Sequence, residues 1–174
     1  MSMLIDFSAG LNQSKTGDML GLRNIANSIK AKYPNDFVMM QEWSEDITSN
    51  IKLIYGNSSA TKIILVGHSF GGSRMVKLAN SLSNANIPVF HLVLLDPVPM
   101  DGWGILNFVD FKISDNVQNA TCFYRSSWFP PYSCKIRKGN CPYVNLKRNW
   151  DHNDFPSQPE VAAAIMDIVM LSNK

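Results

Sequence analysis

The chain has 174 residues, of which 45% are apolar and 17% charged, and its formal net charge is +2. That length and apolar content suit one domain with a sizeable core, spanning residues 1–174. The small net charge gives no overall field to attract nucleic acid or an anionic membrane, and no apolar run approaches the roughly 18 residues that span a bilayer.

Residues 4–8 read as a first strand, followed by a small polar turn at residues 9–13. The next segment carries Leu22, Ile25, Ala26 and Ile29 at the spacing of one helical face and stops before Pro34. Residues 37–40 are a second strand. A helix is expected from Ser44, burying Ile47, Ile51 and Ile54 and ending at Gly56. Residues 62–66 form an unbroken apolar run, as in a strand covered on both faces. Met75, Val76, Leu78, Ala79 and Leu82 mark the helix after it. Further strands are expected at 89–95 and 120–124. The last helix opens with Ser157 as cap and Glu160 three residues on, and Val161, Ile165, Ile168 and Val169 form its stripe.

Strand–helix alternation predicts an α/β three-layer sandwich, a mostly parallel sheet of about five strands with helices on both faces. Ligands of such sheets sit at the carboxyl ends of the strands. Cys134 and Cys141 flank a segment that reads as a hairpin. They could be bridged or could be two thiols. Met1 and Ser2 lead directly into a strand without the basic and apolar regions of a secretory leader. The cytoplasm is therefore the default, with secretion open if a leader was removed.

The chemistry concentrates in Gly67-His68-Ser69-Phe70-Gly71, a GxSxG pattern that a buried strand enters and an amphipathic helix leaves. A turn that tight strains the serine backbone and leaves no space for a Cβ at Gly67 or Gly71. A phosphate-cradling turn would want a longer glycine spacing with Lys, or GxGxxG, and neither is present.

With that context the sequence resembles the α/β-hydrolase superfamily, and within it the small lipase- and cutinase-like serine esterases. The resemblance covers the topology of nearly the whole chain, but the specific match is the elbow and the order of residues after it. It implies a nucleophile, an acid and a histidine in that order. Ser69 takes the first role. Of the three histidines, His68 lies inside the elbow and its backbone position directs it away from the serine. His91 reads as structural, and His152 sits in a polar loop before the last helix, where the family places its base. No Asp or Glu occurs between Asn116 and Trp150, so the acid falls to Asp96 at the end of the 89–95 strand. Asp101 is in reserve, and Asp151 is too close to His152 in sequence to orient it.

The resemblance further implies an oxyanion hole from the N–H of Phe70 and one from the turn after the first strand, with Leu11 chosen and Asn12 or Gln13 as alternatives. It implies no metal or cofactor. Trp103, Leu106 and Phe108 could line an acyl pocket or face the core. Residues 125–148 mix Trp128, Phe129 and Tyr132 with six basic and no acidic residues, and read as a solvated loop. The expected substrate is a small-molecule ester with a short to medium acyl chain. A thioesterase, an acyltransferase or a non-catalytic binding protein would use the same scaffold, and the oligomeric state is open.

Overall fold

The computed structural model describes residues 3–9, 17–42, 44, 46–58, 61–98, 111–125, 136–138 and 141–173. In chain order the elements are β1 (Met3–Ala9), α1 (Gly17–Lys32), β2 (Phe37–Glu42), α2 (Thr48–Asn57), β3 (Lys62–His68), α3 (Phe70–Ser83) and β4 (His91–Leu95). Then come β5 (Phe111–Lys112), β6 (Ala120–Arg125), β7 (Ile136–Lys138), β8 (Tyr143–Arg148), a 3-10 turn at His152–Ser157 and α4 (Pro159–Ser172).

The main sheet has six strands in the order β2-β1-β3-β4-β6-β8, every neighbouring pair parallel. From β1 the chain first steps outward to β2. It then crosses over β1 to β3 and continues through β4, β6 and β8 in the other direction. The reversal lies between β1 and β3, the switch point where ligands of open parallel sheets bind. Apolar side chains of β1 and β3 alternate between two cores. Leu4, Ile63 and Leu65 pack with α2 and α3. Ile5, Phe7, Ile64 and Val66 pack with α1 and α4. All seven residues of β1 are buried, as a strand covered on both faces requires.

The structure corrects several expectations. The sheet has six strands rather than about five, because Tyr143–Arg148, read as part of a solvated loop, is an edge strand paired to β6. Its side chains are exposed or half-buried, and Lys147 and Arg148 give it the charge that keeps an edge from pairing with another chain. Of the segment between the two cysteines, read as a hairpin, the described residues form one short strand. Ile136–Lys138 pairs in parallel with Phe111–Lys112, and the Asn145 amide holds it from β8. That amide accepts the Ile136 N–H at 3.0 Å and donates to its carbonyl at 2.8 Å. Cys141 carries a free thiol, while Cys134 lies outside the described residues.

Two helix starts also move. Helix α2 begins at Thr48, not Ser44, because Asp46 turns the chain by accepting the Thr48 N–H at 3.0 Å and its hydroxyl at 2.7 Å. At α4 the cap position is Gln158 and no side chain caps it. Ser157 ends the preceding 3-10 turn, and Glu160 pairs with Arg148 instead of closing a capping box.

The segment before α4 is anchored by Phe155, which is fully buried and meets the Trp150 ring edge-on at 5.2 Å between centroids. Truncation there opens a cavity under the polar loop. Phe155→Ala should lower unfolding free energy by about 3–5 kcal/mol, read as a lower urea midpoint with an unchanged slope.

Candidate active site

Strand β3 runs into α3 through a single residue, Ser69, whose φ of 57° is rare for a side-chain-bearing residue. The neighbouring glycines explain how the turn is possible. A Cβ on Gly67 would lie 2.5 Å from the Gly71 carbonyl oxygen. A Cβ on Gly71 would run into the Ser8 carbonyl of β1, so its constraint comes from the adjacent strand rather than from Gly67. One residue further on, a Cβ on Gly72 would sit 2.6 Å from the Pro97 side chain. The elbow is thus pressed between β1 and the segment after β4.

The same segment is stitched to the elbow by hydrogen bonds. The Val98 N–H donates to the Ser69 carbonyl at 3.0 Å, and the Ser73 hydroxyl donates to the Val98 carbonyl at 2.5 Å. Asp96 begins it with a φ of 40°, and its N–H donates to the Phe123 carbonyl of β6 at 2.7 Å. Backbone and carboxylate of Asp96 are fully buried at the carboxyl edge of the sheet.

Ser69 occupies the cap position of α3, yet its hydroxyl makes no capping bond. It meets His152 Nε2 at 2.9 Å. On the far side of the ring, His152 Nδ1 meets Asp96 Oδ2 at 2.6 Å. With Nδ1–H donating to the carboxylate, Nε2 is left as acceptor for the serine proton. The His152 side chain is 27% exposed and Asp96 0%, so the line of three groups runs from a solvent-reachable ring to a buried charge.

The structure therefore brings Ser69, His152 and Asp96 together. Asp151 is exposed and makes no part of the cluster. His91 stands at the opposite end of β4 with Nε2 3.0 Å from the Thr121 hydroxyl. Phe70 is the first residue of α3, at the positive end of the helix dipole. Leu11, Asn12, Gln13, Asp101, Trp103, Leu106, Phe108, Trp128, Phe129 and Tyr132 lie outside the described residues. Among the described residues, no group of three His, Cys, Asp or Glu side chains could hold a metal ion. Nor among them is any helix long and apolar enough to cross a membrane.

Two contributors escaped sequence reasoning. His68, set aside as pointing away from the serine, is fully buried and places Nε2 2.9 Å from the His152 carbonyl, its ring 4.7 Å from the His152 ring. As a donor at Nε2 it holds the loop that carries His152. Arg125, at the end of β6, donates its N–H to Asp96 Oδ1 at 3.0 Å and its Nε–H to Oδ2 at 2.6 Å. A signal existed for Arg125: a buried aspartate needs a cation, and the acid-free stretch after Asn116 supplies the basic residues.

Burial pushes His68 down to about 3, helped by the charge His152 can carry beside it; burial alone pushes His91 down to about 4. Both rings are therefore neutral in the folded protein near neutral pH, while in the unfolded chain each takes a proton as pH falls through about 6.5. The unfolded state then binds more protons, so their contribution is complete above about pH 6.5 and is lost as pH falls toward 4 and 3. Each such ring adds about 1.4 kcal/mol per pH unit to the slope within its window. Urea unfolding of His68→Asn between pH 7 and 4 should show a slope smaller by close to one proton. An unchanged slope would mean His68 is protonated in the folded state.

No protein-family model matches this sequence, and no curated protein is similar to it. Solved structures share its architecture. The NocB thioesterase domain from the nocardicin cluster superposes with a TM-score of 0.61 at 11% identity, over 97% of this chain and 94% of that one. A cutinase-like protein from Cryptococcus sp. gives 0.55 at 13% identity, over 99% and 94%. The SrfTE thioesterase domain, which cyclises the lipopeptide antibiotic surfactin, gives 0.53 at 14% identity, over 95% and 91%. The chain has the α/β-hydrolase fold that these two thioesterase domains and the cutinase-like protein share.

Proposed function

We propose that the protein is a serine hydrolase that cleaves carboxylic esters of short to medium acyl chains, with Ser69 as nucleophile, His152 as general base and Asp96 as its orienting acid. The observation that carries this reading is the unbroken hydrogen-bonded line from Ser69 Oγ through both nitrogens of His152 to Asp96. A serine on a strained turn, hydrogen-bonded to an imidazole that a buried carboxylate orients, is the arrangement that activates a hydroxyl.

In this reading His152 Nε2 takes the Ser69 proton as Oγ attacks the acyl carbonyl carbon. The oxygen that becomes negative is met by the Phe70 N–H at the start of α3 and by a second donor from the turn after β1, for which Leu11 is the candidate. His152 passes its proton to the departing alcohol. Water, deprotonated by the same ring, then releases the acid and restores Ser69. Asp96 keeps the proton on Nδ1 and stabilises the imidazolium without being protonated. Each step draws on the protein's own groups. Trp103, Leu106 and Phe108 remain the candidates for the acyl pocket.

A thioester is the second reading, favoured by the similarity to the NocB and SrfTE thioesterase domains. The triad serves either substrate, and only the leaving atom differs.

A fluorophosphonate probe with intact-mass detection tests the activated serine. Wild type should gain one adduct and Ser69→Ala none. Ser69→Ala and His152→Ala should each reduce turnover by about 10⁴- to 10⁶-fold while remaining folded. Asp96→Asn keeps the shape but favours the wrong tautomer, and should lower kcat by about 10⁴-fold. Matched esters and thioesters, compared by kcat/KM over a range of acyl lengths, decide between the two substrates. Folded wild-type protein that takes no adduct would return the chain to a binding role.

A further inference from the structure

The Asp96 carboxylate is held from two sides by one residue. Its Oδ1 accepts the main-chain N–H of Arg125 at 3.0 Å, and its Oδ2 accepts the Arg125 Nε–H at 2.6 Å. That same Oδ2 accepts from His152 Nδ1 at 2.6 Å. The first of these bonds continues the sheet. Leu95 is in register with Phe123, and the Asp96 N–H still bonds the Phe123 carbonyl. At Asp96 the backbone turns out of the strand with a φ of 40°. Its side-chain oxygen then takes the Arg125 N–H, a donor the parallel ladder would otherwise give to a main-chain carbonyl.

We propose that Arg125 is a positioning residue of this site: by clamping both oxygens of the Asp96 carboxylate, it fixes the orientation in which Oδ2 meets His152. The proposal deepens the hydrolase reading above and rests on it. Two physical demands support it. A carboxylate with no exposure is a buried charge that needs a partner. The guanidinium, 19% exposed, supplies that partner while staying in reach of solvent. The second demand is geometric. A carboxylate held at one oxygen can turn about its bond to Cβ, and a turned carboxylate offers His152 a poorer acceptor. Held at both, it presents one lone pair of Oδ2 to Nδ1–H, which leaves Nε2 aimed at Ser69.

Among the described residues, the other charged or titratable groups near the ring do not duplicate this. His68, facing it from β3, is buried and neutral near pH 7. Arg148 of β8 is paired with Glu160 of α4. Asp151 and Asp154, on the loop itself, are exposed.

Three variants test the assignment: Arg125→Met fills the volume without charge, Arg125→Lys keeps the charge without the fork, and Arg125→Ala leaves a space. The rate of Ser69 phosphonylation should fall about 10- to 100-fold in Arg125→Met and Arg125→Ala. In ester hydrolysis the loss should appear in kcat and not in KM. Methylguanidinium should restore Arg125→Ala several-fold and leave Arg125→Met unchanged, and Arg125→Lys should fall between Arg125→Met and wild type. The far-downfield proton NMR signal of the His152–Asp96 hydrogen bond should be present in wild type and absent in Arg125→Met. This signal needs no turnover. If wild type takes no phosphonate, the hydrolase reading fails, and the signal still reports on Arg125. A wild-type phosphonylation rate or an undiminished downfield signal in folded Arg125→Met would overturn the proposal, as would a slow Arg125→Ala that methylguanidinium leaves slow.

Discussion

The turn from β3 into α3 is closely hemmed in by backbone, and the rest of the site follows from the path it takes. A Cβ at Gly67 would strike the backbone of Gly71, and one at Gly71 would strike the Ser8 carbonyl of β1. The chain passes there with Ser69 at a positive φ. In that conformation the hydroxyl is turned away from capping its own helix and toward His152. A strained residue of this kind costs of the order of 1–3 kcal/mol and persists only where its surroundings over-determine it. Here the surroundings are β1 on one side and Pro97 and Val98 on the other.

Charge is handled by the same economy of elements. One buried aspartate stands at the end of β4, a guanidinium at the end of the neighbouring strand, and a histidine on the loop that closes over both. A second histidine, His68, sits one residue before the serine and contributes a hydrogen bond instead of a charge, because burial keeps it neutral. Strand order brings these groups together. β3, β4 and β6 are neighbours, and their carboxyl ends lie beside the switch point between β1 and β3.

The parts of this arrangement that were legible in the sequence are those with a strong local pattern. Apolar runs such as Ile63-Ile64-Leu65-Val66 suit strands covered on both faces, and the glycines around Ser69 mark the turn. Asp96 and His152 could be singled out because so few acids and histidines were available in the right order. β8 stayed hidden because an edge strand has no need to be apolar: Tyr143 and Val144 are exposed, and its other residues are polar or only half-covered. The start of α2 was misjudged because Asp46 forms a turn with Thr48, a local bond that overrides the helical spacing of Ile47 and Ile51. The roles of His68 and Arg125 are contacts across 84 and 29 residues of chain, which no spacing rule reports.

The bonds from Val98 to Ser69 and from Ser73 to Val98 join the elbow and the segment after β4 into one block. His152 belongs to a different piece of chain, attached to that block through Ser69, His68 and Asp96 and pinned below by Phe155. Heating should therefore not degrade the site evenly. Ser69 and Asp96 would keep their spacing until the whole sheet melts, whereas the His152 segment would be the part to detach by local opening. On the hydrolase reading, loss of activity on warming would then precede loss of secondary structure, and would reverse on cooling as long as the sheet had held.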